Sequence, residues 1–185
     1  EKRLLDVEDL KVYFPIKTGG FLISKTKPLR AVDGVSFSLR QGETLGIVGE
    51  SGCGKSTLAR AVMKLIEKTD GTVVWQGREL SDLRGPAVRA LREEFQIVFQ
   101  DPLASLDPRM TIGQSIAEPL RTLEPGLSRA QVLERTRKEM ERVGLDPAWI
   151  NRYPHEFSGG QNQRAGVARA MIVRPQLVVC DVSFI

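Results

Sequence analysis

At 185 residues the chain is long enough to bury a sizeable core and falls within the usual span of one domain with room for an inserted subdomain. Hydrophobic residues at 41% and charged residues at 27% exclude a disordered chain, and the net charge of +4 is scattered without a Lys/Arg block, so no nucleic-acid partner is expected. No apolar run approaches the ~20 residues of a membrane helix and "EKRLLDVEDL" lacks a signal-peptide core, which places the chain on the water side of any membrane it serves.

Leu5 and Val7, then Leu10, Val12 and Phe14, alternate imperfectly with polar residues and predict a strand that Pro15 stops, followed by a loop over "KTGGFLISKTKP". Val35, Phe37 and Leu39 predict a second strand, which turns at "RQGE" into "TLGIVG", a continuous apolar run suited to a strand covered on both faces. A helix is expected from Lys55 to about Ile66, then a strand and turn at "GTVVWQG", a short helix near "PAVRALR" and a buried strand at "FQIVFQ". From Met110 to Pro154 the pattern becomes helical. There Ser128 and Gln131 form a capping-box pattern, Val132, Leu133, Thr136, Met140 and Val143 share one face, and Gly144 is the stop. A last helix is expected from Ser158 to Arg174, ended by Pro175, before the buried parallel-type strand "LVVCD". Strand, loop and helix in alternation argue an α/β fold with a mainly parallel core. Cys53 and Cys180 lie in unrelated contexts and fit a reducing compartment.

"GESGCGKST", Gly49 to Thr57, fits G-x-x-x-x-G-K-[ST] between an expected strand and an expected helix. Glycines at 49, 52 and 54 let the backbone curl so that its N–H groups, with Ser51 and Cys53 between them, face an anion. Lys55 reaches the outer phosphates, Ser56 offers a hydroxyl to Mg²⁺ and Thr57 touches the inner phosphates. The plainer reading, a Gly-rich turn with a stray lysine, does not account for the strand and helix on either side. Cys53 suits the loop because it is small, and a redox role is not needed to explain it. A phosphate loop also needs a second magnesium anchor. Asp181, closing "QLVVCD", is the candidate, and Gln100 ends "FQIVFQ" in the same manner, with an amide oxygen for a metal or an attacking water. Taken singly, the Asp is better read as a strand-end residue that caps a turn and the Gln as a surface residue, and their value comes from the motifs around them.

"FSGGQNQR" begins as a helix start, with Ser158 as N-cap and Gln161 completing a capping box. The cap leaves Gly159 and Gly160 unexplained, since each costs about 1 kcal/mol of helix stability relative to Ala. Two glycines in a first turn make sense where a ligand approaches the backbone, and exposed N–H groups there favour an anion. The chain therefore carries two anion-seeking helix starts, more than one nucleotide needs from one subunit.

In this order "GESGCGKST", "FQDP", "FSGGQNQR" and "LVVCD" resemble the Walker A, Q-loop, signature and Walker B motifs of ATP-binding cassette (ABC) ATPases, and the resemblance covers nearly the whole chain. "AVDGVSF", "FQDPLASLDPRMTIG", "IAEPL" and "RYPHEFSGGQ" are similar, more narrowly, to the ATPase subunits of bacterial oligopeptide and dipeptide importers. The resemblance implies a P-loop NTPase core with an N-terminal antiparallel β part and an inserted α-helical subdomain, divided as residues 1–109, 110–157 and 158–185. It implies ATP and Mg²⁺ as ligands, with Lys55 and Gln100 serving hydrolysis, Ser56, Gln100 and Asp181 at the metal, and Ser158, Gly160 and Gln161 on the γ-phosphate of a partner's ATP. Phe14 is the aromatic expected to stack on adenine, with Tyr13 as the alternative. The implied partners are a second ABC ATPase subunit, identical or related, integral membrane permease subunits docked on the helical insertion and, indirectly, an external peptide-binding protein. The implied location is cytoplasmic, peripheral on the inner face of the cell membrane.

His155 is not the family's switch histidine, which belongs beyond Walker B. Val182 stands where the family has a glutamate that polarises water, and valine accepts no proton. As written, the chain is expected to bind ATP and hydrolyse it poorly. "VSFI" resembles segments that lie further along the family's sequence, so residues are expected to be missing between Asp181 and Val182, a true truncation being the alternative. Two rival functions remain at this stage: a soluble cassette acting on nucleic acid or ribosomes, disfavoured by the absence of heptads between Walker A and signature, and a nucleotide-binding scaffold without hydrolysis.

Overall fold

The computed structural model describes residues 3–18, 25–99, 101 and 105–181, which cluster into two units, Glu1–Gly85 and Pro86–Ile185. Gln100, Val182 and the Asp181–Val182 link lie outside the described residues.

In the first unit β1 (Arg3–Thr18) pairs antiparallel with β2 (Lys25–Arg40) on one side and with β3 (Asp70–Trp75) on the other. β4 (Arg78–Glu79) completes the order β2-β1-β3-β4. Gln76 and Gly77, both at positive φ (49° and 80°), make the two-residue turn into β4. Leu5, Val7, Leu10, Val12, Val73 and Trp75 are buried, with Leu58, Ala61 and Val62 of α1 (Lys55–Val62). That helix packs on β1 and β2.

Three expectations for this unit are corrected. Pro15 does not stop the strand: β1 runs through it, opposite Pro28. The β3 pairing ends at Lys11, so Pro15 lies where β1 has an open side and its missing N–H costs little. "TLGIVG" is neither strand nor covered, with Leu45 41%, Ile47 45% and Val48 81% exposed. A strand of that kind needs hydrogen-bonded neighbours and layers over both faces, and none of the described strands pairs with it. The helix from Lys55 ends at Val62, four residues early, because Lys64 turns left-handed (φ 51°). Leu65 N–H then donates to Arg60 O at 2.8 Å and Lys64 N–H to Ala61 O at 3.0 Å, a Schellman ending with lysine where glycine is usual.

In the second unit α2 (Pro86–Glu94) leads into β5 (Phe95–Val98), which pairs parallel with β6 (Leu177–Cys180). Between the two strands lie α3 (Ile112–Leu123), α4 (Arg129–Arg142), short 3-10 turns at Pro147–Asn151 and Pro154–Glu156, and α5 (Gly159–Met171). Their core joins Ile112, Ile116, Leu120, Met140, Leu145, Ile150, Ala165 and Ala168. Gly113 allows the closest approach: a Cβ there would lie 2.2 Å from Ile150 Cγ1, and next to it Ile112 N–H donates to Arg152 O at 2.8 Å.

The Ser128–Gln131 capping box is present, and Thr111 with Gln114 forms another that the sequence reading missed. Gly144 ends α4 at φ 75° as expected. Leu133, placed on the buried face, is 41% exposed. α5 stops at Met171 instead of Arg174, and Arg174 itself is left-handed (φ 54°). The two strands are less covered than their apolar composition suggested: Phe99 lies beyond β5 and is 43% exposed, and Cys180 is exposed. Among the described residues β5 and β6 form a two-stranded sheet, so neither has a neighbour on its outer edge.

Candidate nucleotide site

Residues 49–57 do form a curled loop running into a helix. Gly54 is the N-cap of α1 at φ 100°, and a Cβ on it would lie 2.0 Å from the Ala31 carbonyl oxygen of β2, so only glycine fits. A Cβ on Gly49 would come within 2.6 Å of Cys53 Sγ, so with cysteine at 53 position 49 has no room for a side chain. Ser51, Gly52 and Cys53 are exposed and Gly54 to Thr57 half-buried. Lys55 Nζ folds back over the loop, donating to Gly49 O and Glu50 O, both at 2.7 Å, with Cys53 Sγ at 3.7 Å. Two of its three protons hold the loop in shape and the charge stays at its mouth. The amides of Lys55, Ser56 and Thr57 belong to the first turn and have no carbonyl four residues back within the helix. A helix start with free amides and a lysine beside it has the donors that an anion would need.

The second helix start is built differently. Ser158 Oγ accepts the Gln161 N–H at 3.2 Å and Gln161 Oε1 accepts the Ser158 N–H at 2.8 Å, closing the expected capping box. The serine hydroxyl keeps its own proton to donate outward. Ser158, Gly159 and Gly160 are exposed, and a Cβ on either glycine would meet nothing within 4 Å. No packing in this unit demands those glycines.

Behind this start, buried Asn162 donates from Nδ2 to Pro154 O at 3.0 Å and Phe157 O at 3.4 Å. Phe157 meets Trp149 edge to face at 5.8 Å, the Arg152 guanidinium lies over Trp149 at 5.3 Å, and His155 stacks on Tyr153 at 5.9 Å. His155 is part of this aromatic seat.

Asp181 follows β6, half-buried, and its N–H donates to Val98 O at 2.9 Å, continuing the parallel ladder by one residue. Arg169 of α5 donates to Ser105 O at 2.8 Å and pairs with Glu118 of α3 at 3.0 Å, tying the chain after β5 to two helices. Among the described residues no three His, Cys, Asp or Glu gather as a metal cage. A divalent ion on such a surface would take single protein ligands and complete its shell with phosphate and water, the habit of Mg²⁺.

On the β1–β2 ribbon Phe14 is 40% exposed. Tyr13 beside it is engaged: its hydroxyl donates to Asp33, and Arg30 lies over its ring at 5.5 Å. The Asp33 hydrogen bond raises the Tyr13 pKa, and the Tyr13 hydroxyl holds the Asp33 carboxyl below its usual range.

The family model described as "ABC transporter" matches residues 32–183. The chain belongs to this family. The oligopeptide transport ATP-binding protein OppF of Escherichia coli is 58% identical over 181 residues, 97% of this chain and 54% of its own length. The oligopeptide transport ATP-binding protein AppF of Bacillus subtilis is 47% identical over 182 residues, 98% of this chain and 55% of its own length. This ABC chain thus spans about half the length of the curated relatives it matches. The ADP- and Pi-bound dimer of the ATP-binding cassette MJ0796 superposes with a TM-score of 0.81 at 24% identity, covering 96% of this chain and 73% of that one. For cbiO1 from Clostridium perfringens the TM-score is 0.77 at 23% identity, over 97% of this chain and 65% of that one. These structures establish the fold, α/β with an antiparallel N-terminal sheet.

Three residues escaped the sequence reading of this ABC chain. Ala31 and Asp33 were read only as part of "AVDGVSF" and Arg30 not at all, and Arg30 and Asp33 reach Tyr13 across a strand pair, a contact to which linear spacing gives no clue.

Proposed function

We propose that the chain is the nucleotide-binding part of an ATPase subunit that energises import of oligopeptides or dipeptides across a bacterial inner membrane. The observation that carries this is the open surface around Gly159 and Gly160, glycines without an internal use, at a helix start that follows a complete phosphate loop in the sequence. The kinship with OppF of Escherichia coli, at 58% identity, supports oligopeptides as the cargo class.

Lys55 binds the outer phosphates, the amides and small side chains of Gly49, Ser51, Gly52, Cys53 and Gly54 wrap the anion, and Thr57 meets its inner end. Ser56 would hold Mg²⁺, with Asp181 reaching it through its ligand shell, and the ion would supply positive charge against the phosphates. Gln100 joins them by the family resemblance alone. Phe14, the exposed aromatic, stacks on adenine. Ser158, Gly160 and Gln161 close on ATP held by a second ABC ATPase subunit, and residues 110–157 carry the contact with membrane permease subunits on the cytoplasmic face. An external peptide-binding protein delivers the cargo. No helix among the described residues is long and apolar enough to cross a membrane.

The test is ATP turnover by the complete subunit assembled with its permease partners. Turnover should rise with peptide-loaded binding protein and fall at least about a hundredfold in Lys55→Ala, as removal of a principal phosphate contact does. A complete assembly that binds no ATP, or whose turnover ignores peptide, refutes the reading.

A further inference from the structure

The ribbon beside the phosphate loop carries a side-chain network that the nucleotide roles above leave unused. β1 and β2 shift register between Val12 and Tyr13, and β3 stops pairing with β1 at Lys11. From Tyr13 onward the ribbon is two-stranded, a form that does not hold its shape alone. Tyr13 is nonetheless fixed at three points. Its N–H donates to Thr69 Oγ1 at 2.8 Å, its hydroxyl donates to Asp33, and its ring lies under the Arg30 guanidinium, which Asp33 holds at 3.2 Å. Asp33 is the hub, gripping one residue from each strand.

The same stretch of β2 touches the phosphate loop. Between Arg30 and Asp33 stands Ala31, whose carbonyl oxygen lies where a Cβ on Gly54 would be. Next to Tyr13 on β1 is Phe14, 40% exposed, opposite Leu29 at 51%. The segment from 30 to 33 thus abuts the start of α1 and, through Tyr13, sets the backbone that presents Phe14.

We infer that Tyr13, Arg30 and Asp33 are positioning residues for the nucleotide's base: they lock the ribbon so that the Phe14 ring stands at a fixed offset from the phosphate loop. This rests on the nucleotide reading of that loop. The network touches the ring's support and leaves the phosphate contacts alone, so it raises affinity for a ligand with an aromatic base and is indifferent to a bare polyphosphate.

The experiment compares equilibrium binding of ATP and of inorganic tripolyphosphate to the full chain. Tyr13→Phe, which keeps the ring and removes the hydroxyl, and Asp33→Asn should each weaken ATP about three- to tenfold, roughly the loss of one hydrogen bond. Tripolyphosphate affinity should stay within about twofold of the parent. Phe14→Ala should reproduce the ATP-only loss, and Asp33→Glu, which keeps the carboxylate, should recover part of it. If the parent binds neither ligand, the nucleotide reading itself fails and takes this inference with it. If the parent binds ATP and the two network variants bind it equally well, or lose both ligands alike, the network does not position a base and the inference alone is overturned.

Discussion

The two glycine-rich helix starts differ in what their glycines are for. Gly54 is required from within: its left-handed backbone and the Ala31 carbonyl leave no room for a Cβ. Gly159 and Gly160 are required by nothing inside their own unit, where a side chain would point into open space. The first glycine fits the loop against β2, and the second pair leaves a surface bare. Sequence spacing treats all three as the same signal, and only the surroundings separate them.

Alanine at each position tests that contrast. Gly54→Ala should cost at least about 2 kcal/mol of stability, from left-handed strain and the carbonyl clash together. A thermal melt shows it, and nucleotide binding should disappear with it. Ser158→Ala should cost about 1 kcal/mol through loss of the N-cap, and because the hydroxyl also faces outward, ATP-driven association with a partner subunit should fall with it. Gly160→Ala should do the opposite to stability, gaining up to about 1 kcal/mol of helix propensity while association by light scattering still drops. A Gly160→Ala protein that melts lower would mean an internal role for that glycine and would erase the contrast.

The smallest effect concerns the ribbon that flanks Gly54. The Asp33 pKa is lowered in the folded chain by the Tyr13 hydrogen bond, so its contribution is present above the ordinary carboxylate range and lost as acid takes the pH down through the folded value. The Tyr13 pKa is raised by the same bond, so its contribution is present below the ordinary phenol range and lost as base takes the pH up through the folded value. NMR titration of Tyr13 should show one environment across the neutral window and departures at both ends, and Asp33→Asn should remove the acid-side departure.

Short-range chemistry was legible in the sequence. The glycine-rich turn into α1, the capping boxes at Ser128 and Ser158 and the stop at Gly144 all depend on residues within a few positions of one another. What depends on partners far along the chain was not. "TLGIVG" has the composition of a covered strand, yet covering comes from neighbours, and Val48 stands 81% exposed. The end of α1 was misplaced because a lysine occupies the left-handed position where glycine is the usual signal. The resemblance pointed to Phe14 with Tyr13 as the alternative, and nothing in the linear pattern showed that Tyr13 is tied to Asp33 and Arg30 while Phe14 is 40% exposed.

Between Gly113 and Ile150 there is no space for even one added carbon. Two residues past Ile150, the Arg152 carbonyl holds the first amide of α3, and Asn162 bolts the following turn to the start of α5. The stretch from Ile150 to Asn162 is thus pinned to the start of α3 at one end and to the start of α5 at the other, so Ser158 sits on a turn that two helices fix.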